Sequence, residues 1–146
     1  MKLRLIALLL TITTIPLLSL SAKSVPDWET TRLHGDFYAE GAGFGDVDGD
    51  GLGDLVAGPF WYKGPDFEEQ HEFYEPKIFN IRTYSDNFFC YVHDINGDGQ
   101  NDILIYGFPA KEARLYLNPG RTATTDRWPM KIIADEIGQE APHWID

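Results

Sequence analysis

The sequence predicts an all-β fold built from repeated four-stranded units. Turn-forming residues are frequent, since Gly and Pro together supply 23 of the 146 residues. Aromatic residues make up 14% of the chain and favour strands. Two acidic segments with closely similar sequences begin 48 residues apart, at Asp46 and Asp94. These three observations favour short strands joined by turns over long helices.

The N-terminal residues 1–22 have the order of a secretory signal peptide. Lys2 and Arg4 precede an uncharged apolar run at residues 5–20, and Ser21-Ala22 supplies small residues for cleavage. An uncleaved membrane anchor is the alternative, but the run is interrupted by Pro16 and is shorter than the roughly 20 residues of a spanning helix. We therefore expect a mature chain of residues 23–146 that is secreted, periplasmic or on the cell surface, with no membrane span after cleavage.

The negative net charge argues against nucleic acid as a binding partner. The formal net charge is −11, from 12 Lys and Arg against 23 Asp and Glu. Binding to a nucleic-acid backbone needs clustered cationic side chains, so we expect no nucleic-acid partner. Cys90 is the one cysteine, which excludes an intrachain disulfide; its apolar neighbours predict a buried structural thiol.

The two acidic segments belong to longer repeats. The first repeat covers about residues 31–65 and the second about 72–120, and a partial third repeat covers about 128–146. The match continues beyond the acidic segments, where Trp61-Tyr62 corresponds to Leu115-Tyr116. We therefore predict one repeat region over residues 23–146.

Each repeat predicts four short strands separated by turn residues. The predicted strands are residues 31–38, 41–45, 54–57 and 60–63, then 72–79, 88–93, 102–106 and 113–117, with 128–134 opening the third repeat. Four antiparallel strands repeating at about 50 residues are typical of a β-propeller blade. A β-sandwich with accidental similarity is the alternative. Because a propeller closes with about 4–8 blades, we expect this chain to be a truncated part of a longer repeat protein.

The acidic segments predict two metal-binding loops. Oxygen-bearing side chains stand at loop positions 1, 3, 5 and 9, a glycine at position 6 permits a sharp turn, and position 7 offers a backbone carbonyl. Hard oxygen ligands at this density suit Ca²⁺, which takes 6–8 oxygens. With four carboxylates against three, the first loop is expected to bind Ca²⁺ more tightly, other things equal. The predicted ligands are Asp46, Asp48, Asp50, Leu52 and Asp54 in the first loop, and Asp94, Asn96, Asp98, Gln100 and Asp102 in the second.

Other interpretations of these loops are weaker. An EF-hand needs a bidentate Glu at position 12 and flanking helices, whereas position 12 is Ala57 or Ile105 within an apolar run. A zinc site is poorly supported by one Cys and four His without HExxH-type spacing. A solvated Asp-Gly turn without metal explains one loop better than two aligned copies.

At these residues the sequence resembles the FG-GAP repeats, also grouped with the VCBS repeats, of integrin-α-type β-propellers. The first repeat supplies Phe44-Gly45, the Asp46–Asp54 loop and Ala57-Gly58-Pro59. The second supplies the Asp94–Asp102 loop and Gly107-Phe108-Pro109, but it lacks the Phe-Gly pair. The resemblance implies a seven-bladed propeller when complete, with Ca²⁺ in the loops and a role in adhesion, ligand recognition or scaffolding.

The predicted function is therefore that of a non-catalytic, calcium-binding module with a protein or carbohydrate ligand. The alternative is a support domain of a secreted carbohydrate-active enzyme, such as a polysaccharide lyase or hydrolase. The sequence singles out no catalytic residue and no organic cofactor site.

Overall fold

The computed structural model describes residues 28–120, 123 and 127–138. The chain divides into two compact units, Met1–Thr31 and Arg32–Asp146. In the first unit only residues 28–31 are described, and they form neither helix nor strand. The predicted signal peptide lies outside the described residues, as does the end of the predicted third repeat, residues 139–146. Within the described ranges, no helix has the length and hydropathy needed to cross a bilayer.

The second unit begins with a four-stranded antiparallel sheet whose strands lie side by side in chain order. In its register, Gly45 stands opposite Asp54, and Leu55 stands opposite Tyr62. The acidic loop 46–53 therefore connects the first two strands as a hairpin. The strands are β1 (Ala42–Gly45), β2 (Asp54–Ala57), β3 (Phe60–Tyr62) and β4 (Gln70–Glu72).

A second four-stranded antiparallel sheet repeats this arrangement. His93 stands opposite Asp102, and Ile103 stands opposite Tyr116, so the loop 94–101 occupies the same place in its sheet as the loop 46–53. The strands are β5 (Phe89–His93), β6 (Asp102–Tyr106), β7 (Ala113–Tyr116) and β8 (Met130–Ala134). The prediction of an all-β fold with four-stranded antiparallel units is confirmed.

The prediction of which strand completes each four-stranded sheet was wrong. Residues 31–38 form no strand, and the segment 72–79 contains only the last residue of β4, which closes the first sheet. Residues 128–134 contain β8, which pairs with β7 in the second sheet and opens no third unit. The predicted boundaries are thus displaced by one strand. The physical reason is that residue alternation indicates a strand, whereas the neighbour it pairs with depends on how the preceding connection folds back.

The hydrophobic core lies between the two sheets. Phe73 makes an edge-to-face contact with Tyr116, with ring centroids 5.1 Å apart, and its carbonyl accepts a 2.9 Å hydrogen bond from the Trp128 backbone N–H. The residue after β4 is thereby bound to the segment that leads into β8. The buried core residues are Val47, Val56, Trp61, Phe73, Ile103, Ile105, Tyr116, Ala123 and Trp128.

Glycines on one face of β1 let the first strands of the two sheets approach closely. A Cβ atom added at Gly43 would lie 2.9 Å from the Cys90 Sγ, and one added at Gly45 would lie 2.6 Å from the Val92 Cγ1. Gly41 directly precedes β1, and a Cβ atom added there would lie 2.6 Å from the carbonyl oxygen of Phe88. Its N–H donates to the carbonyl of Asn87 at 3.2 Å. We call Gly41, Gly43 and Gly45 the glycine seam.

We predict that Gly45→Ala destabilises the fold by about 1–3 kcal/mol, since the added methyl group would overlap Val92 where β1 packs against β5. Urea denaturation measures this change. Gly35→Ala is the matched control, because a Cβ at Gly35 would meet nothing within 4 Å. Equal unfolding free energies for the two variants would refute the close approach of β1 to β5.

We also predict that the Cys90 thiol resists modification in the native state. Burial raises its pKa to about 12, so a much smaller fraction of this thiol is ionised at pH 8 in the native protein than in an unfolded chain. Reaction with a chromogenic disulfide at pH 8 should therefore be slow in buffer and fast in urea. Rapid native reaction would contradict the placement of this sulfur against Gly43.

Candidate functional site

The first acidic loop is organised around the carboxylate of Asp46. Its Oδ1 accepts hydrogen bonds from the N–H groups of Gly49 at 2.8 Å and Asp50 at 3.1 Å, and its Oδ2 accepts one from Gly51 at 2.9 Å. Gly49 and Gly51 have φ values of 76° and 88°, in the left-handed region that favours glycine. The loop therefore folds back over its own first residue.

The second loop has the same geometry around Asp94. Its Oδ1 accepts from Gly97 at 2.8 Å and Asp98 at 3.0 Å, and its Oδ2 accepts from Gly99 at 2.9 Å. The φ values of Gly97 and Gly99 are 77° and 88°, within 1° of those in the first loop. The two loops, which lie 48 residues apart in the sequence, thus adopt the same backbone conformation.

The third and fifth positions of the first loop each use one carboxylate oxygen to accept a backbone hydrogen bond. Asp48 Oδ1 accepts from the Asp50 N–H at 3.1 Å, and Asp50 Oδ1 accepts from the Leu52 N–H at 2.8 Å. One oxygen from each of Asp46, Asp48 and Asp50 lies within 4.8 Å of the others. This group could hold a metal ion, although exposed acidic groups of this kind are common without one.

The second loop pairs an amide with a carboxylate at the same positions. Asn96 Oδ1 accepts from the Asp98 N–H at 2.9 Å, and Asn96 Nδ2 donates to Asp98 Oδ2 at 2.8 Å. The seventh residue, Gln100, donates its backbone N–H to Asp98 Oδ1 at 2.8 Å, as Leu52 does to Asp50. The predicted use of the Leu52 and Gln100 carbonyls as ligands stays a prediction.

The ninth-position aspartates are buried and connect three parts of each sheet. Asp54 is fully buried; its Oδ2 accepts from the Val47 N–H at 2.7 Å and its Oδ1 from the Gly64 N–H at 2.8 Å. One carboxylate thus ties the start of the loop and the end of β3 to the start of β2. These bonds occupy both Asp54 oxygens with backbone donors.

Asp102 makes the equivalent contacts in the second sheet. It is fully buried and accepts from the N–H groups of Ile95 at 3.2 Å and Asn118 at 2.9 Å. Desolvation raises the pKa of this carboxyl group, and the hydrogen bonds from the backbone oppose that rise. The predicted role of Asp54 and Asp102 as metal ligands stays a prediction. In the structure, their carboxylates accept the backbone hydrogen bonds that close the loops.

Lys63 is a site residue that the sequence analysis missed. It follows β3, and its ammonium group donates hydrogen bonds to the Oδ2 atoms of Asp48 and Asp50. The Lys63 hydrogen bond lowers the pKa of the Asp50 carboxyl, and the two carboxylates, Asp48 more than Asp50, raise the pKa of Lys63. A lysine 15 residues from Asp48 carries no local sequence signal; only the pairing of β2 with β3 brings it to the loop.

Two asparagines from the connections of the second sheet donate hydrogen bonds to the backbone of the first loop. Asn101 Nδ2 donates to the Asp46 carbonyl at 2.7 Å, and Asn118 Nδ2 donates to the Val47 carbonyl at 2.8 Å. A second bond from Asn118 Nδ2 reaches the Asn101 carbonyl at 2.8 Å. The two loops are therefore linked, since residues of the second loop and of the turn after β7 hold the backbone of the first.

Comparison with known proteins gave no match to a family model, to a curated protein or to a solved structure. The resemblance to FG-GAP repeats therefore rests on the residues quoted above.

We predict that Asp54→Ala lowers the free energy of unfolding by about 2–5 kcal/mol. The substitution leaves the buried N–H groups of Val47 and Gly64 without their acceptor. Denaturation in urea with EDTA present measures the effect apart from any metal. Asp135→Ala, a change at an exposed aspartate, is the control and should alter stability by less than about 0.5 kcal/mol. A comparable loss in both variants would contradict the structural role of Asp54.

Proposed function

We propose that this chain is a secreted calcium-binding repeat module with one Ca²⁺ in each acidic loop and a non-catalytic role in binding, adhesion or scaffolding. The observation that carries the proposal is the repetition of one loop geometry at equivalent positions of two sheets. In the first loop, backbone hydrogen bonds engage one oxygen each of Asp48 and Asp50, and the other oxygen of each carboxylate meets a cation, the Lys63 ammonium.

The chemistry of the loops supports calcium over other ions. Carboxylate, amide and carbonyl oxygens are hard ligands of the kind that Ca²⁺ prefers, and one oxygen from each of three first-loop aspartates lies within 4.8 Å of the others. The formal charge of −11 favours uptake of a divalent cation. Bound Ca²⁺ would neutralise carboxylates that otherwise repel one another within a nine-residue segment.

The packing of the two sheets supports a propeller arrangement. Each sheet is a four-stranded meander, and its first strand lies against the first strand of the other sheet through the glycine seam. In propellers, such sheets stand around a central channel. The count of seven blades comes from the FG-GAP resemblance.

The proposed location and ligand follow from the sequence. The signal-like residues 1–22 support export, so the module would work in the periplasm, at the cell surface or outside the cell. A protein or a carbohydrate is the proposed ligand class.

Calcium titration of the secreted protein tests this function. We expect two Ca²⁺ per chain by calorimetry and a rise in the melting temperature, because an ion that binds only the folded state adds about 2.7 kcal/mol per site at a hundredfold excess over Kd. Mg²⁺ should produce a much smaller shift, since it requires stricter octahedral geometry.

Conservative variants identify the loops that bind the ion. Asp50→Asn and Asp98→Asn change the fifth position of each loop, and each should reduce the stoichiometry by one. Asp135→Asn serves as the control for loss of a carboxylate outside the loops. An EDTA-treated protein that shows neither calorimetric heat nor a thermal shift on adding Ca²⁺ would overturn the proposal.

A further inference from the structure

The two acidic loops share their backbone hydrogen bonds, but the partners of their third and fifth positions differ. In the first loop, the Lys63 ammonium bridges the outward oxygens of Asp48 and Asp50. The Lys63 side chain is 30% exposed, and its backbone is fixed by bonds to Glu69 and Phe67, each 2.9 Å long. The backbone that carries the ammonium group is therefore held in place directly after β3.

The residue equivalent to Lys63 in the second sheet is Leu117. Both residues directly follow the third strand of their sheet, and each donates its N–H at 2.9 Å to the residue just before the fourth strand, Glu69 or Pro129. The next residues, Gly64 and Asn118, also match, because each donates its N–H to the ninth-position aspartate. The second sheet thus has an aliphatic residue at the backbone position from which the first sheet supplies a cation.

This difference removes the charge advantage of the first loop. Four carboxylates and one ammonium give the first loop a formal charge of −3, the same as the three carboxylates of the second loop. The oxygens of Asp48 and Asp50 that would face a metal ion are also engaged by the ammonium. A divalent cation entering the first loop must displace Lys63 or accept its repulsion at short range.

We propose that Lys63 is a built-in counter-ion of the first loop, so that the two loops differ in calcium dependence. The first loop closes on the Lys63 ammonium and binds Ca²⁺ weakly, whereas the second loop, with Leu117 in that place, is the tighter site. This inference rests on the proposed function, since it assumes that the loops take Ca²⁺. It reverses the order of affinities expected from the number of carboxylates.

The test is a calcium titration by calorimetry in two single-site backgrounds. Asp98→Asn weakens the second loop and exposes binding at the first; Asp50→Asn does the reverse. We expect the second loop to bind Ca²⁺ at least about tenfold more tightly than the first, because an ion that enters the first loop must displace Lys63 or accept its repulsion at short range. Lys63→Met should raise the affinity of the first loop by about tenfold, and Leu117→Lys should lower that of the second by a similar factor.

A matched control separates the local effect from total charge. Lys77→Met removes a lysine whose ammonium pairs with Asp86 at 2.7 Å, outside both loops, and should leave both affinities unchanged. Circular dichroism checks that each variant is folded, and Leu117→Lys carries the test if Lys63→Met does not fold.

The outcomes separate this inference from the proposed function. Calcium binding with the same first-loop affinity in the parent and in Lys63→Met overturns the counter-ion and leaves the calcium module standing. Binding that appears at the first loop only in Lys63→Met supports the counter-ion. A parent protein and a Lys63→Met variant that both bind no Ca²⁺ would overturn both proposals.

Discussion

The fold depends on two buried carboxylates, those of Asp54 and Asp102. Each accepts hydrogen bonds from two backbone N–H groups. One belongs to the second residue of the loop, and the other belongs to the second residue after the third strand, Gly64 or Asn118. A buried carboxylate is costly unless it is hydrogen-bonded, and charge-assisted bonds to backbone donors compensate that cost. Because three chain segments meet at one side chain, the position of each loop is coupled to the first three strands of its sheet.

The contact between the sheets depends on small residues and on amide side chains. The glycine seam removes side chains from the face of β1 that meets β5, so that core residues such as Trp61 and Ile105 can be fully enclosed. Asn118, only 6% exposed, crosses between the sheets and donates to the backbone of the first loop. The interface is thus apolar in its interior and hydrogen-bonded at the loops, which fixes the position of one loop relative to the other.

The two loops illustrate how one backbone can present different electrostatics. Their φ values and hydrogen bonds match closely because the same glycines and first-position aspartates recur. The loops differ at their third position, Asp48 or Asn96, and in the residue that follows the third strand, Lys63 or Leu117. Together these differences change which groups face Asp50 and Asp98. A repeated sequence motif therefore specifies the shape of a loop more completely than its charge.

The sequence by itself determined the all-β class, the four-stranded antiparallel units and the loops. Strands 54–57 and 102–106 were predicted with the bounds that the structure has, because hydrophobic residues and flanking turn signals are local properties of the chain. Gly51 and Gly99 were predicted to turn the loops for the same reason, since a positive φ is a requirement of single residues; the structure adds Gly49 and Gly97.

Only the tertiary structure decided which sheet receives an outer strand, and which side chains meet at the loops. β4 and β8 were assigned to the wrong units because strand pairing is a contact between segments distant in sequence. Lys63 reaches Asp48 through the pairing of β2 with β3, and Asn118 reaches Val47 across 71 residues. Local patterns determine the conformation of a segment, whereas long-range packing determines its neighbours, and the charge at the first loop depends on those neighbours.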